Sequence, residues 1–186
     1  IYSMQGDIHL LRGLVNLETI GADVSISNDV IVVDPVPEKA ARDLLKLSIN
    51  LKVNIDDSVR VTGFGLDGTV QGSVAVNSPF DRPTRLTGSL NLLGTYGTYG
   101  QKLRISRGII QYNNAEVDEP ILNILAERII DSENMTVGLQ ITGPASKPKT
   151  QVISSAGLAE NEALSWLMFG QPLNNVSSGD AETVNA

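Results

Sequence analysis

The sequence predicts an all-β fold in which long antiparallel strands curl into a half-pipe with an apolar interior, completed by one short amphipathic helix near the C-terminus. Three observations predict it. Polarity alternates residue by residue over long runs, and the breaks between runs are short and rich in Gly, Pro, Asn and Asp. Aromatic residues make up only 4% of the chain while Gly reaches 17 residues, so small aliphatic side chains must line whatever interior exists.

The N-terminal stretch is the least regular: Ile8, Leu10, Val24 and Ile26 alternate before VIVVDPVPEK, a β-branched strand stopped by prolines. LKLSINLKVNID, residues 45–56, is the clearest run. There Leu45, Leu47, Ile49, Leu51, Val53 and Ile55 fall on one side of an extended chain, with Lys46, Ser48, Asn50, Lys52, Asn54 and Asp56 on the other. At roughly 3.3 Å per residue it reaches about 40 Å, well beyond an ordinary strand. In GFGLDGTVQGSVAVNS, Phe64, Leu66, Val70, Val74 and Val76 share a face with Gly68 and Gly72, after a parity shift near Gly63 that requires a turn or bulge. The pattern continues with Leu86, Leu90 and Leu92, with Leu103 and Ile105, and with Met135, Val137, Leu139 and Ile141. Breaks fall at 78–83, 94–100, 113–120 and 143–149, and connections this short favour antiparallel neighbours.

One stretch reads as helix. LAENEALSWLMFGQP carries Glu160 and Glu162 where the positive end of the helix dipole favours them, and Gly170 and Pro172 as a stop. Its apolar stripe, Leu164, Trp166, Leu167 and Phe169, is either a plug docked on the sheet or a face turned to a partner. The expected organisation is a groove domain over 1–153, the helix over 154–173 and a loose polar tail over 174–186. The opening IYSMQGD has neither an initiating Met nor a charged and apolar leader, as expected of an excerpt from a longer protein.

The strand faces need a cover, because buried apolar area contributes roughly 25 cal/mol per Å² and exposed apolar sheets aggregate. One short helix shields few strands, so the sheet must fold on itself. Long strands with Gly68, Gly72 and Gly88 on the inward face fit a curled trough better than a tightly interdigitated sandwich. Such a trough keeps an oily interior available to an apolar guest.

Other chemistries find little support. Net charge is −7 and the Lys and Arg residues are scattered, which leaves no footprint for nucleic acid. Gly63, Gly65 and Gly68 match the dinucleotide fingerprint, but a period-two strand follows where a helix is required. His9 is the only histidine and there is no cysteine; no metal, cofactor or catalytic triad is expected.

Several stretches carry a resemblance. GTYGTYGQKLRISRGIIQYNN (94–114), DEPILNILAER (118–128) and GPASKPKTQVISSAGLAENEALSWLMFGQPL (143–173), preceded by ADVSISNDVIVVD (22–34), resemble the C-terminal domain of the TamB family. The most specific part is Leu164, Ser165, Leu167, Phe169 and Gly170 with the upstream Pro148 and Lys149. The resemblance implies a β-taco within an inner-membrane-anchored protein that crosses the periplasm and meets the outer-membrane barrel TamA. It also implies a part in moving phospholipid to the outer membrane and in assembling outer-membrane proteins. On that reading acyl chains lie against Leu47, Ile49, Leu51, Val53, Leu66, Val70, Val74, Leu90, Leu92, Leu103, Ile105, Val137 and Leu139. The alternatives are a chaperone-like trough for apolar segments of barrel clients, and a closed lipid-binding barrel.

Overall fold

The long alternating runs become long strands. The computed structural model describes residues 2–19 and 46–175. In chain order the strands are β1 (Tyr2–Leu10), β2 (Gly13–Asn16), β3 (Leu47–Gly63), β4 (Leu66–Ser78), β5 (Arg85–Thr98), β6 (Gln101–Ala115), β7 (Ile121–Ile130), β8 (Met135–Pro144) and β9 (Lys149–Ser154). They form one curled sheet that does not close, followed by the helix α1 (Glu160–Phe169). From β3 to β9 each strand is antiparallel to the next. β1 and β2 depart from the expected antiparallel pattern, both running parallel to β3 along one of its sides. Parallel pairing needs a connection of a dozen or more residues, and the chain from 17 to 46 is long enough to supply it. The strands expected around Val24 and Ile26 and within 30–35 lie outside the described residues, as does the tail from 176.

Cross-strand pairing shows how the alternation builds a face. One row runs Val15, Val61, Gly68, Gly94, Ile105, Ala126, Leu139, Val152 across eight strands. Another runs Leu10, Ile55, Gly72, Leu90, Ile110, Leu122, Gly143. Both are entirely apolar or glycine, because paired residues share a side of the sheet. The opposite face carries groups such as Lys52, Arg60, Asp67, Thr69 and Gln111, with Arg60 holding both carboxylate oxygens of Asp67 at 2.8 and 2.9 Å.

Two devices curl the sheet. β3 carries extra residues between Ile55 and Val59, which puts Asp56 and Asp57 in a bulge. Register also shifts between Asn91 and Gly94 and between Ile105 and Arg107, and each irregularity bends its strand. Glycine is the second device. At Gly94 φ is +140°, and a Cβ there would sit 2.4 Å from both the Asp67 carbonyl oxygen and the Gly68 Cα. The inward glycines therefore allow neighbouring backbones to close up, as well as thinning the filling.

Two tight turns sharpen the breaks expected near Gly63 and over 94–100. Phe64 and Gly65 (φ +51° and +85°) join β3 to β4, and Tyr99 and Gly100 (φ +50° and +71°) join β5 to β6. Phe64 thus leaves the strand face it was expected to share with Leu66, and β5 runs through Gly94 and Gly97 instead of breaking there. Gly63, Gly65 and Gly68 belong to a hairpin that runs into β4, so among the described residues no helix N-terminus faces them.

The packed core lies toward the C-terminal strands. Leu103, Ile105, Ala126, Ile130, Met135, Val137 and Leu139 form one cluster with Trp166 and Leu167 of α1. The helix ends as its sequence suggested: Gly170 is left-handed (φ +71°) and its N–H donates to the Trp166 carbonyl at 3.1 Å.

An apolar trough as candidate functional site

The concave face is the site the sequence points to. Among the described residues its one charged side chain is Arg128, paired across from Val137. Tyr112 is also inward, opposite Gly88, and its hydroxyl donates to the Val117 carbonyl at 3.0 Å. Burial, and after it the Asp118 carboxylate, push the Tyr112 hydroxyl above the usual 10.0, which keeps the phenol neutral.

Within the trough is a cavity of about 470 Å³ against which Leu66, Leu92, Ile105, Leu122, Ile124 and Ile141 pack. Phe64 from the β3–β4 turn and Ala145 and Pro148 from the β8–β9 turn line the same space. Turns so far apart in strand order meet there because the sheet curls. The volume lies within the range of roughly 300–1,000 Å³ typical of small-molecule sites.

Every one of the thirteen groove residues named from sequence pairs into the concave face or packs in its core, but their surroundings differ. Leu66, Leu92 and Ile105 line the cavity. Ile49, Leu51, Val53 and Leu90 are half-buried along the open part of the trough, and Leu47 at its edge is 37% exposed. Val70, Val74 and Leu139 are buried, while Leu103 and Val137 are almost completely so, at 0% and 1% exposure. Those last two sit in the cluster with Trp166 and Leu167, where protein already occupies the space a guest would take.

The helix closes this end. Trp166 and Leu167 are buried and Leu164 packs against the same cluster, so of the two readings of the stripe these contacts fit the plug docked on the sheet. Phe169 is half-buried. Polar contacts pin the helix C-terminus: Gln101 donates to the Met168 carbonyl at 3.1 Å, and Arg128 donates to Gln101 Oε1 and to the Leu167 carbonyl. A cation here also complements the negative end of the helix dipole. Neither residue stood out in sequence.

A family model described as the TamB C-terminal domain matches residues 3–186. The chain belongs to the TamB family. It is 28% identical over 171 residues to a protein of Haemophilus influenzae named translocation and assembly module subunit TamB, an alignment that covers 83% of this chain. The chain spans 13% of that relative's length. In this TamB-family domain, sequence reasoning missed the lining contributed by β7. ILNILAERII shows no clean alternation, since Leu125 and Ile129 are apolar on the convex side, and only pairing with β6 and β8 assigns Leu122, Ile124 and Ala126 inward.

Proposed function

We propose that this domain is a non-enzymatic segment of a translocation and assembly module that holds lipid acyl chains in its trough and passes phospholipid between the inner and outer membranes. In this reading it stands in the periplasm as part of an inner-membrane-anchored chain, works with the barrel TamA, and supports the assembly of outer-membrane proteins. The observation that carries the reading is the apolar cavity within a concave face that holds one charged side chain among the described residues, set against a convex face that is largely polar over β3 to β5. Family membership supports the wider role.

Extraction of the purified domain with organic solvent, followed by mass spectrometry, is expected to release phospholipid. Ile49→Glu places a carboxylate in the half-buried, open part of the trough, where water still reaches it; the variant is expected to stay folded and lose most of the lipid. Leu139→Glu is a different experiment, because the site is 5% exposed inside the core cluster. An unpaired buried charge there costs several kcal/mol, so unfolding is the expected outcome. Full lipid occupancy in Ile49→Glu would remove the basis of the proposal.

A second reading has its own support. Among the described residues the far edge of β1 pairs with no strand, and Met4, Ile8 and Leu10 on its concave side are 51%, 42% and 37% exposed. An extended apolar segment of a client protein suits such an edge by adding a strand. Photocrosslinking from Leu51 in cells separates the two, since lipid adducts support the first and protein adducts the second.

A further inference from the structure

Among the described residues, four non-glycine residues adopt positive φ: Phe64 at +51°, Tyr99 at +50°, Asn114 at +54° and Asn134 at +48°. Two are asparagine, which tolerates the left-handed region well. The other two are bulky aromatics, for which that region is a strained exception. Both occupy the first central position of a two-residue hairpin followed by glycine, where Asn-Gly is the sequence that relieves strain. Both rings are also left in solvent, Phe64 at 70% and Tyr99 at 53% exposure. Neither packing nor backbone preference accounts for an aromatic at either place, and strain retained against an available remedy points to function.

The two turns are neighbours at one end of the sheet. The Gly97 N–H donates to the Gly65 carbonyl at 2.8 Å, which ties the tip of β5 to the β3–β4 turn. The strained conformation at Phe64 is held from outside the hairpin: its N–H donates to Glu18 Oε1 at 3.0 Å. Phe64 also lines the cavity, so a ring mostly in water stands at the cavity's mouth.

We infer that Phe64 and Tyr99 form a membrane-contact point that seats the mouth of the cavity in the interfacial layer of a lipid bilayer. A phenyl ring and a phenol at adjacent turn tips match the region between headgroups and acyl chains, where aromatic side chains concentrate and a tyrosine hydroxyl stays hydrated. A tip inserts without carrying unpaired strand edges into hydrocarbon. Charge selects the surface: Glu18 lies beside Phe64 and the chain carries a net charge of −7, both of which disfavour anionic lipid. The partner is therefore a zwitterionic headgroup layer, and anionic lipid should weaken attachment. The inference extends the acyl-chain reading of the cavity but is tested apart from it.

The test is flotation of the protein with vesicles of phosphatidylethanolamine and phosphatidylcholine. The wild-type protein is expected to float. The double variant Phe64→Asn, Tyr99→Asn loses two exposed rings and is expected to partition at least about tenfold less. Because Asn suits the left-handed turns, the same variant should melt at or above the wild-type temperature. Fluorescence gives a readout that does not depend on that variant folding. In Phe64→Trp the added indole should shift to the blue with vesicles, while Trp166, 8% exposed in the core, stays constant. Wild-type protein that fails to float, a double variant that floats equally, or an indole at 64 that does not respond each overturns the inference. Lipid extraction keeps the two readings apart: flotation without co-purified lipid sinks only the acyl-chain proposal, and lipid without flotation sinks only this one.

Discussion

Gly94→Ala is expected to destabilise the domain by at least ~3 kcal/mol, measured as a shift in the urea midpoint at unchanged m-value. Two costs combine. The φ of +140° at Gly94 is one that side-chain-bearing residues rarely adopt, and the new Cβ meets the Asp67 carbonyl and the Gly68 Cα at 2.4 Å. Both contacts are backbone, so no rotamer change removes them. The pairing partner, Gly68, is caught in the same way, its own Cβ position lying 2.3 Å from the Leu93 carbonyl. Gly100→Ala is the control. Gly100 also has a positive φ, +71°, but nothing lies within 4 Å of its Cβ position, so the expected loss is only about 1 kcal/mol. If the two substitutions cost the same, close backbone approach at the glycine rows does not hold the curl, and the bulges of β3, β5 and β6 must do it alone.

The same glycines show what a reader of the sequence is able to extract. Their inward placement was legible, because period-two alternation fixes which residues share a side once a strand is granted. Gly68 and Gly72 fall among Leu66, Val70 and Val74, and Gly88 falls between Leu86 and Leu90, by counting alone. Their work was less legible, since close approach depends on which backbone lies opposite, and that is set by pairing. A shift of parity signalled the turn near Gly63, but its place at Phe64 was hidden for a related reason. Turn signals rest on residues that adopt positive φ cheaply, and an aromatic before glycine reads as more strand. β7 was ambiguous because both of its sides carry aliphatic residues. The parallel pairing of β1 leaves no trace in a pattern that records sidedness but not direction. What closes the trough was open as well: an apolar helix stripe looks identical whether it meets its own sheet or a foreign surface.

Trp166→Ala decides that last question, and the expected loss is about 3–5 kcal/mol of stability, the range for truncating a large buried aromatic. Trp166 is 8% exposed and shares its cluster with Leu103, Val137 and the fully buried Leu167, so truncation leaves a void between helix and sheet. A helix whose stripe served a partner instead would give the reverse result, with stability intact and association lost. Arg128→Met refines the point. It removes the donor to Gln101 and to the Leu167 carbonyl, together with the cation at the negative end of α1, while keeping most of the side chain's bulk. That loss should be near 1–2 kcal/mol. It should also appear first as faster amide exchange in 160–169, with β3 to β5 unaffected. The difference in size between the two variants assigns the closure of this end chiefly to buried apolar contact, with the polar latch fixing where the helix stops. A domain that seals one end with its own helix has only the remaining trough to offer a guest. That is why Ile49, in the open part, and not Leu139, in the sealed part, is the residue at which occupancy and folding separate.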